Sequence, residues 1–110
     1  MDSTDKKAMQ REILLGFWKV HILHHAAQGP VVGQWMIREL RRHGYEVSPG
    51  TMYPLLSRLE QLGWLQQRTD FALGQGSRKE YELTAKGREA LAFLKDQVTE
   101  LYREVVLGQD

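Results

Sequence analysis

Cysteine is absent from this chain of 110 residues. The chain can therefore form no disulfide bond, no thiolate metal site and no cysteine nucleophile, which fits a reducing compartment. The first ten residues, MDSTDKKAMQ, are polar and of mixed charge, unlike a signal peptide with its apolar core. No apolar run approaches the roughly 20 residues that a bilayer-spanning helix requires. We therefore expect a cytoplasmic protein with no membrane partner.

Sequence patterns that carry catalysis are missing as well. The chain shows no HExxH pattern, no phosphate-binding loop, no usable carboxylate pair and no Ser-His-Asp set, so we expect neither an enzyme nor a cofactor. His21, His24 and His25 are closely spaced, and His21 and His25 share a helical face at a spacing that two metal ligands can use. No third ligand is evident nearby. Partly buried or interfacial histidines are the favoured interpretation, with a metal or sensing role as the alternative.

Neither sign of charge dominates, since 15 basic and 14 acidic residues give a net charge of +1. Their distribution is uneven: residues 34–88 carry nine basic and six acidic groups (+3), and residues 89–110 carry two basic and five acidic groups (−3). This asymmetry suggests that one surface meets a polyanion and another meets protein. The length and the apolar content of 42% predict one globular domain.

The central segment, residues 48–63, reads as a helix with two different faces. Ser48 is a suitable N-cap whose hydroxyl can accept from a first-turn amide, Pro49 suits the first position, and Gly63 ends the pattern. Pro54 removes a backbone donor, so the first turn is expected to be tight or kinked. An apolar stripe predicts the buried face: Met52, Leu55, Leu56, Leu59 and Leu62.

The opposite face of this helix is small, hydroxylated and weakly charged, so another surface can approach it closely. Unpaired amides at its N-terminus also favour an anion such as a phosphate. The alternative is a core helix whose outer face has no partner. The residues of this face are Gly50, Thr51, Tyr53, Pro54, Ser57 and Arg58.

The segments before it predict two more helices. Residues 1–8 are expected to be a flexible N-terminus, followed by a helix over residues 9–27 with Ile13 and Phe17 on its main apolar stripe and Trp18 on the flank. A turn then leads into a second helix over residues 32–43, whose inward residues include Trp35 or Met36. The arginines near its end can reach a phosphate backbone or form a solvated face.

The segments after it predict a β-hairpin and a last helix. Residues 64–71 and 78–84 alternate between apolar and polar, and Arg78 and Lys79 follow a glycine-containing turn. Thr84 is then expected to cap a helix over residues 85–107. Its apolar residues step by three and four, a heptad seam that indicates helix–helix pairing: Leu91, Leu94, Val98, Leu101 and Val105.

The predicted order is α-α-α-β-β-α, a mostly α fold with a small β-hairpin (α+β). Helices two and three then form a helix-turn-helix, and the hairpin is a wing beside it. We interpret residues 9–84 as a winged helix-turn-helix DNA-binding domain and residues 85–107 as a dimerisation helix. A winged helix that binds protein instead of DNA is the alternative.

Several motifs resemble the PadR family of bacterial transcriptional regulators. They are GPVVG at residues 29–33, SPGTMYPLLSRLE at residues 48–60 and RKEYELTAKG at residues 78–87. The resemblance covers about residues 13–95, and the single last helix is similar to the short form of the family. It implies a homodimeric winged helix that binds a palindromic operator in double-stranded DNA, usually as a repressor, and is relieved by a small, often aromatic ligand.

The resemblance also implies site residues. The helix at residues 48–63 would place its DNA-facing residues at the major groove or its phosphates, and the wing would contact the backbone or minor groove. The first and last helices would cross the dimer interface. Val32 and Gln34 stand near a position where the family often has tyrosine.

The implied DNA-binding residues are Ser48, Gly50, Thr51, Tyr53, Pro54, Ser57, Arg58, Arg78 and Lys79. The implied dimer interface is Phe17, Leu91, Leu94, Val98, Leu101 and Val105. Three aromatic residues can line an effector pocket between protomers or belong to the core: Trp18, Trp35 and Phe93.

Overall fold

The computed structural model describes residues 1–68 and 79–109. Helix α1 is a run of three helical segments, Ser3–Met9, the π-helical Gln10–Leu14 and Leu15–Ala26. The remaining elements in the described residues are α2 (Gly33–Arg42), α3 (Pro49–Gln61), β1 (Leu65–Arg68), β2 (Glu80–Leu83) and α4 (Ala85–Leu101), which continues into the π-helical Tyr102–Val106. This is the predicted order of a mostly helical winged helix-turn-helix.

Helix α1 begins earlier than expected. The Asp2 carboxylate accepts a hydrogen bond from the Asp5 amide at 2.8 Å and caps the helix, which starts at Ser3 rather than at residue 9. The helix therefore begins six residues earlier than predicted, whereas the flexibility expected for residues 1–8 stays a prediction. The capping signal is local, whereas the apolar pattern begins only later, and no residue between 3 and 14 is buried.

The core lies where α1, α2 and α3 meet the hairpin. On α1 the buried face is centred on Trp18 and Ile22, while Ile13 and Phe17 are about half exposed. The predicted apolar stripe is therefore covered only in part by its own chain, whereas the flanking residues Trp18 and Ile22 are buried. The largest fully buried side chains are Trp18, Ile22, Leu23, Met36, Leu40, Met52, Leu56, Leu59 and Leu65.

The two strands form an antiparallel hairpin in which Leu65 pairs with Leu83 and Gln67 pairs with Tyr81. Tyr81 and Leu83 are buried, so their shared inward face is as predicted. Val31, between α1 and α2, adds to the hairpin: its amide donates to the Tyr81 carbonyl at 2.9 Å, and the Tyr81 amide donates to the Val31 carbonyl at 2.8 Å. The predicted tip of the wing, residues 69–78, lies outside the described residues.

The start of α4 is fixed against the end of α3. The Thr84 hydroxyl accepts from the Gly87 amide at 2.9 Å, which confirms the predicted cap, and donates to the Gly63 carbonyl at 2.6 Å. Gly87 allows a close approach, because a Cβ there would clash with the carbonyl oxygen of Trp64. These contacts set the direction in which α4 leaves the domain.

Candidate nucleic-acid interface

Helix α3 has the two faces that its sequence predicts. Met52, Leu55, Leu56 and Leu59 are at most 5% exposed and hold one side of the helix against the core. Leu62, the last residue of the predicted stripe, is half-buried at the helix end. The core contacts therefore fix the helix, and its other side remains available.

The N-terminus of α3 differs from the expectation in one detail. Ser48 is the N-cap residue, and its carbonyl accepts from the amides of Thr51 at 3.0 Å and Met52 at 2.9 Å. Its hydroxyl, however, donates to the Thr51 hydroxyl at 3.3 Å instead of accepting from a backbone amide. Ser48 is thus the predicted N-cap residue, but the predicted bond from an amide to its hydroxyl is not formed. The helix continues through Pro54.

The available side of α3 carries the residues expected to face DNA. It combines uncharged hydroxyl groups with one long cation, Arg58, whose Nη1 donates to Gln61 Oε1 at 3.4 Å. Thr51 is half-buried. The exposed members are Ser48, Gly50, Tyr53, Pro54, Ser57 and Arg58.

Tyr53 is tied to the first turn of α2. The Gln34 side-chain amide donates to the Tyr53 hydroxyl at 3.2 Å. The Tyr53 ring lies against Gly33, where a Cβ would be only 2.5 Å from the ring atom Cε1. Sequence reasoning missed this contact between the two helices, although a glycine at the first position of a helix was a usable signal.

The wing lies beside α3 at its described base. The side-chain amide of Gln67 in β1 donates to the Glu60 carboxylate of α3 at 3.2 Å, and the backbone amide of Trp64 donates to the Leu59 carbonyl at 3.1 Å. Lys79, directly before β2, is exposed. Arg78, the other basic residue expected on the wing, lies outside the described residues.

Near the C-terminal end of α2, the carboxylate of Glu39 lies close to one arginine and two histidine side chains. The Glu39 carboxylate accepts from Arg42 Nη2 at 2.6 Å and lies 3.3 Å from His43 Nε2 and 3.9 Å from His25 Nε2. The hydrogen bond from Arg42 is the main reason that the pKa of Glu39 falls from 4.5 to about 2. Arg42, one of the arginines expected to reach a phosphate or face solvent, is thus paired within the chain.

The histidines form a cluster around this carboxylate. His21 and His25 are half-buried and His24 is exposed. The ring centroid of His21 is 5.6 Å from that of His43, and those of His24 and His25 are 4.9 Å apart. Burial is the main cause that lowers the pKa of both His21 and His25. Within residues 1–68 and 79–109, no three metal-ligating side chains are arranged to hold an ion.

The residues expected at the dimer interface separate into two groups. Leu91 is 5% exposed and packs in the core of its own chain, and Leu94 packs partly against that core. Leu91 is therefore a core residue in this protomer and has little surface left for a second copy. The others leave apolar area uncovered within one protomer, with exposures of 44% to 67%: Phe17, Val98, Leu101 and Val105.

The three aromatic residues expected near an effector are not brought together in the protomer. Trp18 is 1% exposed in the core, where its ring packs edge-on against Tyr45 at 5.8 Å. Phe93 is 55% exposed on α4. Trp35 is 39% exposed and lines a surface cavity of about 390 Å³, together with His25, Gln28, Gly29, Pro30, Val31, Val32, Arg38 and Glu80. A shared pocket that includes Trp18 would require the core to repack.

In the part of the chain that the structure describes, no helix is both long enough and apolar enough to span a membrane.

Comparison with known proteins identifies the family. A model of the transcriptional regulator PadR-like family matches residues 22–93. The transcriptional regulator Rv3488 of Mycobacterium tuberculosis is 46% identical over 99 residues, which cover 90% of this chain and 92% of that protein. The crystal structure of a PadR family transcriptional regulator from Eggerthella lenta is similar at 29% identity with a TM-score of 0.74, covering 93% of this chain and 89% of that one. A PadR-like transcriptional regulator from Bacillus cereus is similar at 31% identity with a TM-score of 0.74, covering 86% and 92%. Family, relative and fold agree with the motifs in the sequence, and the chain belongs to the PadR-like family of transcriptional regulators, which are not enzymes.

Proposed function

We propose that this protein is a sequence-specific DNA-binding repressor that uses α3 as its recognition helix. The exposed face of α3 carries the proposal: its buried leucines fix the helix in the core, while its small and hydroxyl-bearing residues stay accessible. The second helix of a helix-turn-helix enters the major groove with its N-terminal residues toward the bases. Lys79, at the base of the wing, supplies a cation for the backbone beside that groove.

The proposed active form is a homodimer built from the first and last helices. Phe17 on α1 and the residues Val98, Leu101 and Val105 toward the end of the chain leave apolar side chains exposed. A second copy is the occupant that a heptad seam favours. Two recognition helices related by a two-fold axis would read two half-sites, so the proposed operator is palindromic.

For the small ligand that would relieve repression, the cavity beside Trp35 is a candidate site in the described part of one protomer. Its walls combine an indole ring with the cation Arg38 and the imidazole of His25. The His25 and Trp35 ring centroids are 5.1 Å apart. Such a site fits a small aromatic molecule, and quenching of tryptophan fluorescence during a titration with aromatic acids and amines would test it in wild type against Trp35→Leu.

The experiment that tests DNA binding is a salt series with the DNA upstream of the protein's own gene and a scrambled duplex of equal length. Tighter binding to the upstream DNA, with affinity that falls steeply as salt rises, is the expected result. Lys79→Ala should weaken binding to both duplexes and reduce the salt slope by about one. Lys95→Ala, which removes an exposed lysine from α4, is the matched control and should change neither.

Two results would contradict the proposal. Equal and weak binding to both duplexes, repeated on fragments selected at random from the genome, would contradict sequence-specific recognition. No binding at low salt would favour the alternative of a winged helix that binds protein.

A further inference from the structure

Gln34 and Tyr53 lie at the point where the two helices of the helix-turn-helix meet. Gln34 belongs to the first turn of α2 and Tyr53 to the exposed face of α3, 19 residues apart in sequence. Both side chains are exposed, and Tyr53 is 40% exposed. An exposed tyrosine side chain can usually exchange between rotamers. Two contacts restrict this exchange for Tyr53.

Two contacts restrain Tyr53. Gly33 packs beneath the ring so closely that a Cβ would lie 2.5 Å from Cε1 and 2.9 Å from Cζ. The Gln34 amide nitrogen, 3.2 Å from the hydroxyl oxygen, donates its hydrogen there. The contact with Gly33 fixes the position of the Tyr53 ring. The hydrogen bond from Gln34 fixes the direction of the Tyr53 hydroxyl group.

The direction of this hydrogen bond decides what the hydroxyl can still do. A tyrosine hydroxyl has one proton to donate and lone pairs that accept. Because Tyr53 accepts from Gln34, its own proton can still be donated, and none of the residues that the structure describes accepts it. Accepting a hydrogen bond also polarises the hydroxyl group and makes it a better donor.

We infer that Gln34 is a positioning residue, which aims the Tyr53 hydroxyl at a phosphate of the DNA backbone. This inference rests on the proposed function, since it deepens the description of the same DNA-binding surface. The phosphate is favoured over a base edge because Tyr53 reaches back to the first turn of α2. In a bound helix-turn-helix, the first helix crosses the backbone, whereas the second lies in the groove.

A double-mutant cycle of Gln34→Ala and Tyr53→Phe tests the coupling. Tyr53→Phe removes only the hydroxyl and should weaken DNA binding about threefold to tenfold, as expected for one neutral hydrogen bond. Gln34→Ala should weaken it by a similar or smaller factor, and should have no further effect in the Tyr53→Phe background. Both variants should leave the salt slope unchanged, because no charge is lost. Gln109→Ala, near the chain end, is the control and should bind as wild type.

A reversal of the hydrogen bond makes a sharper test. Gln34→Glu replaces the donor with an acceptor, so the Tyr53 hydroxyl would donate to the new carboxylate and no longer to DNA. The added negative charge repels DNA in any background, and the same substitution in the Tyr53→Phe background measures that repulsion alone. Gln34→Glu should therefore cost about threefold to tenfold more affinity with Tyr53 present than without its hydroxyl.

The outcomes distinguish this inference from the proposed function. If wild type binds the operator and Lys79→Ala weakens binding, but the effects of Gln34→Ala and Tyr53→Phe simply multiply, then Gln34 does not act through Tyr53 and the inference is overturned. If Tyr53→Phe lowers operator affinity and leaves scrambled-DNA affinity unchanged, the hydroxyl reads a base and the phosphate assignment is overturned. If wild type binds no DNA, the proposed function itself is wrong.

Discussion

Helices α3 and α4 use their apolar residues in opposite ways. In α3, four apolar side chains are buried in the protomer and the polar face remains open. In α4, Gly87 and Leu91 are the buried residues, while Phe93, Val98 and Leu101 are about half exposed. The fold of one protomer is therefore sufficient to place α3, whereas the far half of α4 has apolar surface that only another surface can cover.

This difference separates two kinds of apolar periodicity. An apolar stripe at i, i+3 and i+4 with polar residues on the opposite face is typical of a helix that packs on its own domain. A seam that steps by three and four is typical of a helix that pairs with another helix, and in α4 only its far part, from Val98 onward, is exposed in the protomer. The same residue type, leucine, then carries a different energetic role on each helix, and substitutions can expose that difference.

The largest effect is expected from carboxylates placed on the exposed seam. Leu101→Asp combined with Val105→Asp would put four carboxylates into the proposed two-fold interface, so we expect sedimentation velocity to show dimers for wild type and monomers for this variant. These two positions are better suited than Leu94, which also packs against the core. Thr99→Asp with Arg103→Asp, on the other side of the helical end, is the control and should remain dimeric. A dimer that persists in the first variant would show that the seam is not the main interface.

The next effect compares two leucines under the same substitution. Leu59→Ala opens a cavity in the core and should lower the free energy of unfolding by about 2 to 5 kcal/mol. Its urea midpoint should fall by the same amount at low and high protein concentration. Leu101→Ala, half exposed in the protomer, should lower the midpoint most at high protein concentration and so make it less dependent on concentration, because it weakens the association that stabilises the dimer. Equal concentration dependence in the two variants would contradict the division of roles between α3 and α4.

The features that depend on a local residue pattern were predictable from the sequence. The buried stripe of α3, the inward pair Tyr81 and Leu83 and the Thr84 cap each depend on residues within a few positions of one another. Local spacing and side-chain chemistry are sufficient to specify such features. The resemblance of the SPGTMYPLLSRLE motif to one family then supplied the assignment of α3 to DNA.

The contacts that join distant segments were not predictable. The backbone of Val31 pairs with that of Tyr81, and the Gln34 side chain donates a hydrogen bond to Tyr53. The partners are far apart in sequence, so the apolar pattern of a single helix or strand does not reveal these contacts. Trp18, for which the sequence left a core position and an effector pocket open, lies in the core, because the tilt of a helix against its neighbours decides which part of a broad apolar surface is covered. The DNA contacts proposed for α3 and Lys79 remain predictions.

A smaller effect is expected at the junction of α2 and α3. Gly33→Ala should push the Tyr53 ring aside, since the new Cβ would lie 2.5 Å from Cε1, and should weaken DNA binding about threefold to tenfold through the displaced hydroxyl. Alanine suits the start of a helix, so the fold itself should hold. Fluorescence anisotropy with labelled operator measures the loss. In a Tyr53→Ala background Gly33→Ala should cost little affinity, and an undiminished cost there would mean that Gly33 meets DNA directly.

The smallest effect concerns acid and the histidine cluster around Glu39. Burial lowers the pKa of His21 and His25 below 6.5, helped by repulsion from neighbouring histidines and opposed by Glu39. The unfolded chain then binds protons more readily, so this part of the stability is present above about pH 6.5 and is lost as pH falls through the lowered values. Glu39, with a pKa lowered from 4.5 to about 2, acts in a separate window below pH 4.5, where its contribution is lost as it becomes protonated.

Urea unfolding at about pH 7.5 and about pH 5.5 isolates the histidine window, because Glu39 stays ionised at both values. Wild type should be less stable at the lower pH, by less than the Leu59→Ala effect. His21→Gln with His25→Gln should flatten this dependence, since glutamine does not titrate. His24→Gln removes an exposed neighbour that lowers the pKa of His21 and His25 by repulsion, a smaller cause than their burial, so it should flatten the dependence less. An unchanged slope in the double variant would assign the pH dependence to groups other than His21 and His25.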